Sequence, residues 1–276
     1  MTVENAPPPP FPADRRGPGP GPLVLVADDT LDNQMIAVHM LERCGYRAAV
    51  AENGRIALEA MSERSYAAVL MDCHMPALDG YAATREVRRR EHGGRRTPII
   101  AMTANSIEDA RERCLAAGMD DYLAKPLRSQ GLEDVLLRWT TDPAPTAWAP
   151  LPAHDPGGLL DESVIAELES LDPGLLSSLL PPFFDEAADQ LSALRRDVGH
   201  ADAPAVAETA HKLKGSSASL GAARVSAIAA ELETGAKRGE LGDAGDLIDR
   251  LAAGLAGTRE ALGGAYTPTG SSLVSH

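Results

Sequence analysis

The sequence predicts two domains of different class, a five-unit βα parallel sheet over residues 23–140 and an all-α helical bundle over residues 159–264. Three observations carry this prediction. In the first region short apolar runs alternate with segments of helical period, the pattern of a parallel sheet covered on both faces. The second region has helical periods and no strand-like run. Two Pro/Gly-rich stretches, 1–22 and 141–158, stand outside both and cannot supply a core.

The elements follow in order. Residues 1–22 (MTVENAPPPPFPADRRGPGPGP) predict a disordered tail. Strands are expected at LVLVA (23–27), RAAVA (47–51), AAVLM (67–71), PIIAM (98–102) and DYLA (121–124). Helical patterns lie between them, as with Met35, Val38, Met40 and Leu41 ahead of Cys44 and Gly45. Residues 141–158 predict a flexible linker, in which Trp148 is an exposed aromatic. In the bundle, Asp161, Pro173, Ala203, Ala222 and Asp243 fall near helix starts, and Gly199, Gly221 and Gly239 near stops. Pro204 fits the first turn of its helix. Adjacent prolines in LLPPFF should break a helix, leaving one near 173–180 and a fresh one from about 183, because proline costs ~3 kcal/mol or more mid-helix. Residues 265–276 predict a second disordered tail.

Composition excludes several classes. The chain has 276 residues, 44% of them hydrophobic, with a net charge of −14 and a pI near 4.9. That balance argues against nucleic-acid binding by the whole chain, which needs basic surface. Cys44, Cys73 and Cys114 are odd in number and widely spaced, which predicts reduced thiols and a cytoplasmic protein. The Pro-rich N-terminus has no apolar signal segment, and no apolar run is long enough for membrane insertion.

Polar residues collect at the carboxyl ends of the strands. The first ends in Asp28 and Asp29, the third in Asp72, the fourth in Thr103, and the fifth in Lys125 before Pro126. Ligands of open parallel sheets bind beyond these ends, where the strand order switches. A 2-1-3-4-5 order would bring Asp28, Asp29 and Asp72 together, with Thr103 and Lys125 on the flank. Three crowded carboxylates repel unless one protonates or a cation compensates. An all-oxygen set with few protein ligands suits Mg²⁺. Metal, hydroxyl and ammonium together could hold three phosphoryl oxygens, the electrostatics of phosphoryl transfer. Any one of these residues alone reads as a cap or a loop lysine; all of them at one sheet edge do not.

The motifs ADD, MDCHMPALDG, MTAN and DDYLAKPL, in this order, resemble those of response-regulator receiver domains of two-component signalling. The resemblance spans residues 23–140 and implies a flavodoxin-like (βα)5 fold. It implies Asp72 as phosphoacceptor, with Mg²⁺ on Asp29 directly, Asp28 mainly through water, Asp72 and the backbone carbonyl of His74. It implies Thr103 as a grip on the phosphoryl group, Lys125 as a partner of Asp72 or its phosphate, and Tyr122 as an aromatic switch that fills space Thr103 vacates. Asn33 falls where the family often closes the first loop with a polar residue. His74 and Asn105 flank the expected phosphoryl site, and Cys73 reads as a small buried residue. The basic run REVRRREHGGRR (85–96) reads as a solvated helix face and turn, with a docking patch for an acidic partner as the sharper alternative.

In the bundle, His211, Lys214, Gly215 and Ala218 share one helix face, while Val206, Ala210 and Leu213 can face the core. Gly215 mid-helix costs ~1 kcal/mol relative to alanine, a cost that fits a helix something approaches closely. AHKLKGSSASLGA resembles the signature of histidine-containing phosphotransfer (HPt) domains, strongly over 207–222 and more weakly over 159–264. It implies His211 as a second phosphoacceptor, Lys214 as its charge partner and Gly215 as clearance.

The two resemblances together imply a phosphorelay protein. Its partners would be a sensor histidine kinase or other phosphohistidine donor and a downstream receiver domain. No ATP-binding signature is present, so only phosphoacceptance, transfer and slow autodephosphorylation are expected. The alternative is a phosphorylation-switched binding regulator whose helical domain mainly docks a partner.

Overall fold

The computed structural model describes residues 21–91, 96–103, 107–140 and 158–263, the side chains of 107–110 and 263 excepted. Most of both predicted tails, the linker with Trp148, Asn105 and part of the basic run lie outside the described residues. The chain divides into two compact units, residues 124–131 grouping with the second, and the sheet and the helical region are taken separately below.

The first unit is built round a five-stranded sheet. Its elements are β1 (Leu23–Ala27), α1 (Leu31–Arg43), β2 (Arg47–Ala51), α2 (Gly54–Glu63), β3 (Ala68–Asp72), α3 (Gly80–Arg90), β4 (Ile99–Thr103), α4 (Ile107–Ala117), β5 (Asp121–Ala124) and α5 (Ser129–Thr140). The strand order is β2-β1-β3-β4-β5. Val26 pairs in parallel with Val50 on one side and Leu70 on the other, and Asp72 pairs with Met102. Strand side chains alternate between faces. Leu25, Val69, Met71, Ile99 and Ala101 join Ala57, Leu58, Tyr81, Val87 and Cys114 in one buried cluster. The alternate residues Val24, Val26, Leu70, Ile100 and Met102 are buried as completely. A sheet apolar on both faces must be covered on both, and continuous apolar strands follow from that.

Local chemistry fixes the helix starts. The Asn53 side chain accepts from the amides of Arg55 and Ile56, both at 3.0 Å, and caps α2. Asp79 caps α3 through the Ala82 amide at 2.6 Å. In the basic run, Arg88 is not a solvated residue. Its guanidinium binds Asp120, Glu91 and the carbonyls of Gly118 and Thr97, tying α3 to the strand starts. Arg89 and Arg90 pair with Glu86 at the surface, where such pairs contribute little.

The second unit contains α6 (Glu162–Leu171), α7 (Leu175–Gly199), α8 (Ala203–Ser219), α9 (Ala223–Lys237) and α10 (Ala244–Gly263). Asp161 caps α6, and Asp202 caps α8 with proline in the first turn. Gly221, at φ +74°, lets the chain turn from α8 into α9 in a conformation that favours glycine.

The expected break at Pro181 and Pro182 does not occur, because α7 runs through both. The rings remove the amides that would bond the carbonyls of Ser177 and Ser178. Both serines and both prolines are exposed, so water can serve those carbonyls. The buried stripe Leu175, Leu176, Leu179, Leu180, Phe183, Phe184 and Ala187 keeps its helical period across the prolines. A break would displace the four leucines ahead of them, each contributing about 1.5–3 kcal/mol by burial. Their sum, about 6–12 kcal/mol, matches or exceeds the ~6 kcal/mol cost of two prolines.

Candidate functional site

Each unit holds a cluster of polar residues of the types the sequence singled out. In the first it lies at the carboxyl edge of the sheet. One oxygen each from Asp28, Asp29 and Asp72 lies within 4.8 Å of the others. Asp28 and Asp72 are buried and Asp29 is half-buried. The strand order causes this, since β1 and β3 are neighbours that end side by side.

The loops hold these carboxylates in place. Asp28 Oδ1 accepts from the Thr30 amide at 2.9 Å and from Asn33 Nδ2 at 3.1 Å. Gln34 Nε2 donates to the Asp28 carbonyl at 2.7 Å. Asn33 therefore closes the first loop, and Gln34, absent from the sequence reading, anchors it. The His74 amide donates to Asp72 Oδ1 at 3.1 Å. Gly80 explains the DG of the motif. A Cβ there would lie 2.0 Å from the Asp72 carbonyl oxygen, so only glycine lets α3 start against the end of β3.

The all-oxygen donor set and its spacing fit a small hard divalent ion. Thr103 ends β4 and is buried, and Lys125 follows β5 directly. Tyr122, on β5, is buried. Cys73 and Cys114 are buried with their sulfurs 3.9 Å apart. Their mutual hydrogen bond and their burial push the Cys73 thiol far up, which keeps it protonated and inert.

The second cluster is centred on His211, half-buried on α8 with its side chain 19% exposed. Its Nδ1 lies 2.8 Å from Glu233 Oε1, on α9. Lys214 Nζ donates to Glu233 Oε2 at 2.6 Å, and Lys237 Nζ to Oε1 at 2.5 Å. Glu233 itself is buried. Burial alone would raise its pKa, but hydrogen bonds from His211, Lys214 and Lys237 outweigh it and hold the carboxyl well below the usual carboxylate range. An ionised Glu233 makes Nδ1 the protonated nitrogen and puts the lone pair on Nε2, the nucleophilic position. A Cβ on Gly215, one turn on, would meet no atom of the protein within 4 Å. The gap left by that glycine faces outward.

The structure thus brings together Asp28, Asp29 and Asp72, and separately His211 and Lys214. Lys214 is mostly buried, with its side chain 11% exposed, and is held by a carboxylate. Glu233 and Lys237 were missed by the sequence reading, although the pattern held a signal. Val225, Ile228, Ala229, Leu232 and Ala236 form the buried stripe of α9, and Glu233 falls on it. A charge on an apolar stripe is expected to have partners.

Comparison with known proteins bears on both clusters. Residues 24–137 match the family model of the response regulator receiver domain, and residues 178–261 that of the Hpt domain. The sensory/regulatory protein RpfC of Xanthomonas campestris pv. campestris is 32% identical over 218 residues, covering 76% of this chain and 30% of that protein. The virulence sensor protein BvgS of Bordetella parapertussis is 33% identical over 251 residues, covering 87% of this chain and 20% of that protein. The crystallised receiver domain of sensor histidine kinase PA1611 from Pseudomonas aeruginosa PAO1 is 46% identical, with a TM-score of 0.42, covering 44% of this chain and 99% of that one. The chain spans less than a third of the length of these two sensor relatives. No helix among the described residues is long and apolar enough to cross a membrane.

Proposed function

We propose a function from the premise that this chain belongs, over residues 24–137, to the response regulator receiver family and, over residues 178–261, to the Hpt family. It works as a phosphorelay protein. A phosphohistidine donor, such as a sensor histidine kinase, places a phosphoryl group on Asp72. The group then passes to or from His211, and His211 exchanges it with a separate receiver domain. The observation that carries this reading is the presence in one chain of two acceptors of matched chemistry. One is a carboxylate in a three-carboxylate cluster. The other is an imidazole set by a buried carboxylate.

The residues divide the work. Asp72 is the nucleophile, and its attack on phosphorus gives an acyl phosphate, which is inherently hydrolysable. Asp28, Asp29, Asp72 and the His74 carbonyl would hold Mg²⁺, which when bound supplies positive charge against the carboxylates and the incoming phosphoryl oxygens. Thr103 offers a hydroxyl and Lys125 an ammonium to the same oxygens. Asn33 and Gln34 hold Asp28 in register for this task. Tyr122 is the aromatic partner of the switch. At the second acceptor, Glu233 orients His211 so that Nε2 attacks. Gly215 leaves room for the partner domain to come close. Domain limits of 23–140 and 159–264, with 141–158 as tether, follow from this division of labour. Three unpaired cysteines fit a reducing, cytoplasmic setting.

Labelling with a ³²P-phosphohistidine donor tests the reading. Wild type should carry acid-labile label on His211, and Asp72→Ala should lose it when the donor feeds the receiver. His211→Ala should keep acyl phosphate at Asp72. Absence of label from His211 with every donor contradicts the relay.

A further inference from the structure

The Glu233 carboxylate serves three donors, and two of them are ammonium groups. One carboxylate faces two positive charges, so the cluster holds a cation in excess of what Glu233 needs. The two lysines are not equivalent. Lys214 is 11% exposed, so taking it from Oε2 would strand a nearly buried charge. Lys237 is 53% exposed, so its release costs little and water can replace it. Lys237 Nζ and His211 Nδ1 both contact the same oxygen, Glu233 Oε1. Neither is further from the other than two hydrogen-bond lengths.

We infer that Lys237, rather than Lys214, is the mobile phosphoryl-side cation: when His211 carries phosphate on Nε2, the Lys237 ammonium leaves Glu233 for the phosphoryl oxygens while Lys214 stays. This rests on the reading of His211 as an acceptor and goes beyond it. The charges balance. Nε2 attacks phosphorus and the donor's bond to phosphorus breaks. With phosphoramidate as donor, ammonia leaves, and the Nδ1 proton stays on the imidazolium beside Oε1. Glu233 then neutralises Lys214, and the phosphoryl dianion is balanced by the imidazolium that carries it and by the spare Lys237 ammonium. Lys214 keeps the carboxylate ionised, and Lys237 moves with the phosphate.

The experiment uses the full chain carrying Asp72→Ala, so that its own receiver cannot drain the label, with phosphoramidate as the probe. Phosphohistidine at His211 is followed by ³¹P NMR. Relative to this background, Lys237→Ala should slow labelling about tenfold, the scale of one lost charge-assisted hydrogen bond. Lys237→Glu should slow it further, and Lys237→Arg should restore it. The salt dependence of the rate should flatten in Lys237→Ala. Its unfolding midpoint should stay within about 1 °C of the background, as for other exposed pairs, whereas Lys214→Ala should lower it. Equal rates for the background, Lys237→Ala and Lys237→Glu would overturn the inference while His211 still labels. If His211 takes no phosphate even in the background protein, the acceptor reading beneath it falls, and the inference with it.

Discussion

Replacing Gly215 with alanine should make the protein more stable and a worse relay. Gly215 lies inside α8, where glycine is ~1 kcal/mol less favourable than alanine. A Cβ there meets no protein atom within 4 Å, so no steric cost opposes that gain. For a domain of roughly 100 residues, 1 kcal/mol corresponds to a rise of about 4–8 °C in midpoint. The same methyl group would stand beside His211, where a partner must approach. Overpacking costs about 1–3 kcal/mol, a loss of roughly fivefold to 150-fold in transfer rate. The assay pairs calorimetry of the full chain with transfer between His211 and a purified receiver domain. Labelling of His211 by phosphoramidate serves as control and should be unchanged, because a small donor needs no helix approach. A stabilised variant that exchanges phosphate with the receiver at the wild-type rate would refute the clearance argument. So would a loss of rate with the small donor as well, since that points to a damaged imidazole.

Three further outcomes follow from the two clusters. Gly80→Ala should disturb the loop after β3, because its Cβ would lie 2.0 Å from a backbone oxygen. A cost of about 1–3 kcal/mol or more and loss of Asp72 labelling should appear together in denaturation and acetyl phosphate assays. Removing divalent ions with a chelator should abolish Asp72 labelling, restored by added Mg²⁺, and Asp29→Ala should resist that rescue. Glu233 makes stability acid-sensitive. Its folded pKa is depressed, so its contribution is complete above the ordinary carboxylate range and is lost as pH falls towards the folded value. Glu233→Gln should flatten the loss of bundle stability between about pH 5 and pH 2, and cost about 3–5 kcal/mol at neutral pH by leaving Lys214 underpaired. Urea titrations across pH read both effects.

Much of this was legible in the chain, and for physical reasons. Continuous apolar runs marked strands covered on both faces, and strand ends located Asp28, Asp29, Asp72 and Thr103. Gly215 was visible as a residue whose propensity contradicts its helix. Pro181 and Pro182 misled, because local propensity was weighed without the buried leucines ahead of them and the phenylalanines after them. Glu233 was overlooked because its partners come from another helix or from a residue four positions on, and His211 gives no local sign of them. Arg88 looked solvated within a basic run, although its partners Asp120 and Thr97 lie on other segments. Helical and strand periods are written locally, whereas ion-pair networks depend on the assembled fold.

The central claim is that one chain carries two phosphoryl acceptors that communicate. Its most direct test is ³¹P NMR of the full chain during incubation with Mg²⁺ and a phosphohistidine donor. The account predicts two resonances, an acyl phosphate lost in Asp72→Ala and a phosphoramidate lost in His211→Ala. The second should grow only after, and only with, the first when the donor feeds the receiver. A single resonance that survives both substitutions, or phosphate on neither residue, would contradict it.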